Sequence, residues 1–338
     1  MDKTNLGTTM RGELGSPSQS VMHHPLFEHS VLLQTPPIDD IYRIVKRAVL
    51  MRETGCVFTG ESGIGKTDAI VRVMTLLKSQ YPRLCMFAHD AHNQQISSVR
   101  AFFKHFLSDV GQKEQRGETF DLRARLITIL VDEARVSGMK LVVIFVDEAN
   151  AMQLQDFLFL KDVYNDLSRE HVQLVTILMG QAPDMQNVIA KLKALGRMDL
   201  ISRFTMRMHH IRGYNCLEDL KVIFKGIDTR QYPEGSGIMW PAFFIPQAWA
   251  AGYRMENDAL HVFKVIQKAL PGTPKRKISL PARPLFLAIR SFLLHAADYD
   301  NASGQLPTHL WPDAIQYAMI QDSAMRLQGQ QRTKRSPG

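Results

Sequence analysis

The stretch Gly60-Glu61-Ser62-Gly63-Ile64-Gly65-Lys66-Thr67 holds residue types suited to gripping phosphate. It fits G-x-x-x-x-G-K-[ST], the P-loop pattern. Glycines let the backbone curl until several N–H groups point inward, and such a nest binds anionic oxygens. Lys66 places a point charge on the outer phosphates of a nucleotide, and the Thr67 hydroxyl is placed to ligand Mg²⁺. Asp68 adjoins them in the first helical turn and completes the expected nucleotide-binding set. A second constellation lies downstream, where the apolar run Leu141-Val142-Val143-Ile144-Phe145-Val146 ends in Asp147-Glu148. Two acids at the carboxyl end of a buried strand suit a Walker B element: Asp147 for the Mg²⁺ shell, Glu148 to orient and polarise an attacking water. The added Glu148 argues for hydrolysis over nucleotide storage. A third run, Val172 to Gly180, carries Gln181 at its tip, placed to sense the outermost phosphate or the water, or alternatively to cap a loop.

These groups need elements to hold them. Cys56 to Thr59 reads as a short buried strand, and Asp68 to Lys78 as a helix with Ala69, Ile70, Val73, Leu76 and Leu77 on one face. Strand, glycine loop and helix N-terminus is the context a P-loop requires. A helix is expected from Pro37 to about Glu53, with Asp39 and Asp40 in its first turn. Strands are expected at Leu84 to Ala88, at Leu141 to Val146, at Val172 to Gln181 and at Phe204 to Ile211. Helices intervene at 99–107, from Asp121 to Gly138 and at Asp156 to Arg169. Strands alternating with helices over 56–211 imply a doubly wound parallel sheet of five strands. Beyond Gly213 the pattern is helical, at Leu217 to Ile227, Asn257 to Leu270, Arg283 to Ala297 and Pro312 to Leu327. The expected domains are a flexible tail over 1–35, a nucleotide-binding core over 36–212, a helical lid over 213–322 and a basic disordered tail over 323–338. His23 and His24 fall in the first tail and read as solvated.

At 338 residues the chain can bury a sizeable core, and 45% hydrophobic with 22% charged residues is ordinary for a soluble protein. No apolar run is long enough for a membrane span, and the N-terminal residues lack the pattern of a signal peptide. Cys56, Cys85 and Cys216 have no metal-ligand spacing, so a reducing cytoplasm is the expected setting. The net charge of +8 suits a polyanionic partner. Lys104, Lys113, Arg116, Arg123 and Arg125 lie between the second strand and Asp147, diluted by Glu114, Glu118 and Asp121. Lys275, Arg276 and Lys277 form a loop without acids. No acid cluster suited to cutting DNA is present.

The P-loop, the Asp-Glu strand end, the polar strand tip, a late arginine and a helical lid together resemble the AAA+ ATPases, over roughly residues 36–322. The pairing of Gly180-Gln181-Ala182-Pro183-Asp184-Met185 with Ile201-Ser202-Arg203-Phe204 is similar to the TnsC, TniB and MuB branch, the ATP-dependent target-selection proteins of bacterial DNA transposons. The short length and the helix before the P-loop resemble the compact TnsC of transposons that carry CRISPR guide complexes. Secretion-associated ATPases share Gly-Gln-x-Pro but are expected to carry a membrane segment. The resemblance implies ATP and Mg²⁺ at Gly60, Glu61, Ser62, Gly63, Ile64, Gly65, Lys66, Thr67 and Asp68, hydrolysis through Asp147 and Glu148, and Gln181 as first sensor. It implies Arg203 as a finger reaching a neighbouring subunit, with Arg197 as competitor. Arg283 is similar in place to the second sensor, although Pro281-Ala282 stands where a glycine is usual, and Arg290 competes with it. It further implies double-stranded DNA as a partner, held by Lys104, Lys113, Arg116, Arg123 and Arg125. Self-assembly into a ring or filament, a target-selection protein and transposase subunits complete the set of partners. Two other functions stay open: a nucleotide-dependent switch or scaffold that binds only protein, and an ATPase of the replication-initiator or helicase-loader type.

Overall fold

The computed structural model describes residues 21–28, 33–91, 98–113, 116–270 and 279–320. The chain divides into two compact units, one formed by Pro36–Gly213 and the other by residues 1–35 with Tyr214–Gly338.

The first unit runs α1 (Pro36–Leu50), β1 (Gly55–Gly60), α2 (Lys66–Gln80), β2 (Cys85–Asp90), α3 (Val99–Asp109), α4 (Thr119–Ser137), β3 (Leu141–Asp147), α5 (Leu154–Arg169), β4 (Gln173–Gln181), α6 (Asp184–Ala194) and β5 (Met208–His210). Its strands form one five-stranded sheet in the order β2-β3-β4-β1-β5. Every pairing is parallel. Strand side chains alternate between faces, and both faces are covered. Val142, Ile144, Val146 and Leu178 pack with Phe103, Phe106, Leu122, Leu126 and Leu160 from α3, α4 and α5. Val143, Phe145, Val175 and Ile177 pack on the opposite side with Ile41 and Val45 of α1 and with Ile70 and Val73 of α2. This two-sided burial explains why β3 is apolar at consecutive positions rather than at alternate ones. Each fully buried Phe or Leu contributes on the order of 2 kcal/mol relative to exposure.

The fifth strand is shorter than the sequence predicts. Residues Ile201–Thr205 form a π-helical turn, and only Met208–His210 pair with β1. Ile201 and Phe204 are three apart and both buried, Phe204 with its ring 6.3 Å from that of Phe157. Helical spacing therefore governs there, and the extended segment begins once Met206 and Met208 turn outward. The helix α1 also stops at Leu50 rather than Glu53, and Glu53 instead accepts Arg207 Nη1 at 2.6 Å.

The second unit is helical: α7 (Leu217–Asp228), α8 (Trp240–Phe244), α9 (Pro246–Ala250), α10 (Met255–Ala269), α11 (Ala282–Ala296) and α12 (Leu310–Tyr317). The short α8 and α9 were not legible in the apolar spacing; each carries Pro in its first turn, where the missing N–H costs nothing. Trp311 stacks on Phe292 at 3.9 Å and donates Nε1 to Asp258 Oδ2 at 2.8 Å. Asp228 accepts the N–H groups of Met255 and Glu256 at 3.1 and 3.0 Å, capping α10 from another helix.

The expected tail over 1–35 is corrected where it is described. His24, Leu26 and Leu33 are buried in this unit. The His24 ring sits among Tyr232, Trp240, Phe243 and Phe244, with centroids 4.6 to 5.4 Å away. Its Nδ1 accepts Leu26 N at 3.2 Å, and its buried Nε2 has no hydrogen-bond partner among the described residues. Burial lowers the imidazole from 6.5 to about 4. The histidine is thus a neutral core group, because aromatic neighbours far along the chain enclose it. Residues 273–277, 323–338 and the end of the helix expected to Leu327 lie outside the described residues. Among those described, no helix is long and apolar enough to cross a membrane.

Candidate nucleotide-binding site

The site is built at the carboxyl ends of β1, β3 and β4, where open parallel sheets bind ligands. After β1 the chain turns through Gly63 (φ 73°) and Gly65 (φ 94°), left-handed values that suit residues without a Cβ. Gly60 is required for closeness: a Cβ there would meet Ile64 Cγ2 at 2.9 Å and Ile211 Cβ at 3.1 Å. Helix α2 then begins at Lys66, so the unpaired N–H groups and positive pole of its first turn face the loop. Lys66 is buried, with Nζ donating to Gly60 O at 3.4 Å and Glu61 O at 3.2 Å. Burial pulls its ammonium pKa down, while Glu148, Asp147 and Glu61 oppose that shift.

Thr67 Oγ1 donates to Asp147 Oδ2 at 2.5 Å. The two groups expected to ligand Mg²⁺ are therefore already side by side, and this oxygen donor set fits that hard cation. Asp147 Oδ1 accepts the Glu148 N–H at 2.8 Å. Glu148 stands in the left-handed region (φ 47°, ψ 35°) and heads the 3₁₀ turn Ala149–Ala151. That conformation is uncommon for a residue with a side chain, and it ends the extended backbone of β3. Glu148, Asp90, Asn150, Met152 and Leu192 help line an open groove of about 880 Å³.

Parallel register sets Gln181 opposite Gly60, and the N–H of Ala182 donates to Gly60 O at 3.0 Å. The tip of β4 is thereby fastened to the start of the P-loop. The Gln181 side-chain amide has no partner among the described residues. One functional candidate escaped the sequence reading. Asn150 donates Nδ2 to Glu148 Oε2 at 3.3 Å and accepts Gln181 N at 2.6 Å. A lone polar side chain in the otherwise apolar Ala149 to Met152 was the available signal.

The arginines separate by partner. Arg197 is held by Asp199, with Nε at 3.0 Å and Nη2 at 2.9 Å, and Lys161 Nζ reaches the same carboxylate at 2.7 Å. Arg197 and Lys161 together hold the Asp199 carboxyl well below the usual range. Arg203 lies over the Tyr164 ring at 5.3 Å and has no carboxylate partner among the described residues. Arg283 is exposed in the first turn of α11, in the second unit, and Arg290 follows on that helix with Nε donating to Phe286 O at 3.2 Å. Of the basic residues expected at DNA, Lys104 is on α3 and Lys113 and Arg116 are exposed in the loop that follows. Arg125 Nη1 donates to Arg116 O at 3.3 Å. Arg123 is committed to α5, with Nε on Asp166 at 2.7 Å and Nη1 near Asp162 at 3.4 Å.

A five-stranded parallel sheet with a P-loop after β1 and an Asp-Glu pair after β3 defines a P-loop NTPase fold. Residues 50–189 match a family model described as an AAA domain, and the five-stranded parallel sheet has the AAA+ P-loop fold. The ORC1 protein of Aeropyrum pernix, solved in complex with DNA, is similar over 86% of this chain and 67% of its own, at 12% identity and TM-score 0.50. Cdc6p from Pyrobaculum aerophilum is similar over 82% and 66% respectively, at 13% identity and TM-score 0.52. The Walker-type ATPase of Pyrococcus abyssi is similar over 92% and 79%, at 11% identity and TM-score 0.51. The chain thus spans about two thirds of the length of the first two. At these identities the likeness is one of fold. No curated protein matches the sequence.

Proposed function

We propose that the chain binds and hydrolyses ATP, and that its ATP-bound form assembles on double-stranded DNA as a regulator of transposition. The observation that carries hydrolysis is the convergence of Lys66, Thr67, Asp147, Glu148 and the Gln181 strand tip at one end of one sheet. Lys66 and the N-terminal pole of α2 offset the charge of the outer phosphates. Thr67 and Asp147 would hold Mg²⁺, which when bound screens the phosphate oxygens. Glu148 orients the attacking water and receives its proton. The water oxygen bonds to the terminal phosphorus as the bond to the bridging oxygen breaks, leaving ADP and phosphate. Gln181 hydrogen-bonds the terminal phosphate or the water. Arg203 approaches the phosphate bound by a neighbouring copy.

The transposition reading rests on the resemblance carried by Gly180 to Met185 and Ile201 to Phe204. On it, ATP drives ring or filament assembly, a target-selection protein and transposase subunits are the partners, and hydrolysis releases the assembly. Fold likeness to the DNA-bound ORC1 protein and to Cdc6p favours a second reading, a replication-initiator or helicase-loader ATPase, about equally. The decisive experiment images the protein by electron microscopy on duplex DNA with a slowly hydrolysed ATP analogue, then adds purified transposase or helicase. Transposase-dependent strand transfer supports the first reading; helicase loading without it supports the second. Assembly by Lys66→Ala would remove the P-loop as the functional site. If phosphates are the main contacts, affinity falls steeply with salt, and replacing Lys104 and Lys113 shallows the log–log slope by roughly one unit per lost contact.

A further inference from the structure

Asn150 stands between the acid that follows β3 and the tip of β4. Its Nδ2 donates to Glu148 Oε2 at 3.3 Å, and its Oδ1 accepts the Gln181 backbone N–H at 2.6 Å. These two bonds fix the amide's orientation. Turned over, it would set its NH₂ against an N–H and its oxygen against a carboxylate. The backbone of Glu148 is pinned as well, by its own N–H on Asp147 Oδ1 at 2.8 Å. With Oε2 engaged, Glu148 Oε1 has no protein partner among the described residues, and the side chain borders an open groove. One carboxylate oxygen is held while the other stays available to a water.

We propose that Asn150 is a positioning residue that aims Glu148 and couples it to the strand tip carrying Gln181. A shift of that tip on nucleotide binding is passed to the Glu148 carboxylate through one amide. The inference rests on Glu148 acting as the hydrolytic base.

The test compares Asn150→Ala and Asn150→Asp with the wild type in steady-state ATPase assays and in binding of a fluorescent ATP analogue. Asn150→Asp keeps the acceptor for Gln181 N but loses the donor and sets a like charge against Glu148. Both variants should bind the analogue within roughly threefold of wild type, while kcat falls roughly 10- to 100-fold. In single turnover, Asn150→Ala in a Glu148→Gln background should cost less than about threefold, because the group it positions is gone. Unchanged kcat in both single variants of an active enzyme would overturn the inference alone. So would an undiminished effect in the Glu148→Gln background, which would mark a general structural role. A wild type that binds the analogue without hydrolysing ATP would overturn the hydrolysis reading and this inference with it.

Discussion

The Thr67 hydroxyl donates to Asp147 Oδ2 across 2.5 Å, joining the first turn of α2 to the end of β3 over a sequence separation of 80 residues. The pair places a neutral and an anionic oxygen where one divalent cation can use both. In Asp147→Asn the amide oxygen can keep the Glu148 N–H while the NH₂ donates to Thr67 Oγ1, whose hydroxyl can accept as well as donate, so the local fold should persist while the charge is lost. Mg²⁺ should tighten ATP binding by the wild type at least roughly tenfold and by this variant less than about threefold. Titration with and without a chelator measures it, and equal Mg²⁺ dependence in the two proteins would dissociate Asp147 from the metal.

Glu148→Gln keeps the size of the side chain and an oxygen for Asn150 Nδ2, but it cannot take a proton. Turnover should fall on the order of 10² to 10³, with ATP binding retained and the ATP-bound assembly trapped on DNA. Normal turnover would assign the water to another group.

Arg203 rests on the Tyr164 ring, with no carboxylate to hold it among the described residues. Loss of that contact costs roughly 1 kcal/mol or less, so Arg203→Ala should melt close to wild type. It should bind ATP as a monomer yet fail to hydrolyse it. Mixing it with Lys66→Ala should restore part of the activity, since one copy keeps a sound pocket and the other a sound arginine. Full activity of Arg203→Ala alone would exclude it as the finger. Arg197, already bound by Asp199, is the weaker replacement.

His24 gives a pH dependence of defined sign. Its pKa in the fold is lowered from 6.5 to about 4, so the folded state favours the neutral ring. The stability it contributes is complete above pH 6.5 and is lost as pH falls through that range toward 4, by up to about 3 kcal/mol. Thermal melts and hydrogen exchange of residues 21–28 should show that loss between pH 7.5 and 5. In His24→Phe this component should vanish. The same pH dependence in the variant would place the titration elsewhere.

What the sequence made legible was chemistry written in consecutive residues. Lys66 and Thr67 sit in a motif whose spacing is its mechanism, and Asp147 and Glu148 close a run apolar enough to mark a strand covered on both sides. What it withheld depended on partners distant in the chain. Asn150 acquires its place only when β4 brings the Gln181 N–H beside it. Arg123 reads as exposed positive charge until α4 and α5 pack and Asp166 takes it. His24 reads as solvated in a Pro- and Ser-containing stretch, since its enclosing rings lie in residues 232–244. The π-helical turn at Ile201–Thr205 passed for strand because Phe204 and Thr205 suit either geometry.

The helical unit gathers its parts from both sides of an unbroken 36–213 segment. On the ribosome this fixes an order of events. The nucleotide-binding unit can close as soon as residue 213 has emerged, because all of its own elements have then been made. Residues 21–28 are synthesised earlier but must wait for α7 to α12, which at 5–20 residues per second is a delay of roughly tens of seconds. During that interval Leu26 and Phe27 have no core to enter, so the nascent chain carries a finished nucleotide unit preceded by an apolar strap open to chaperones.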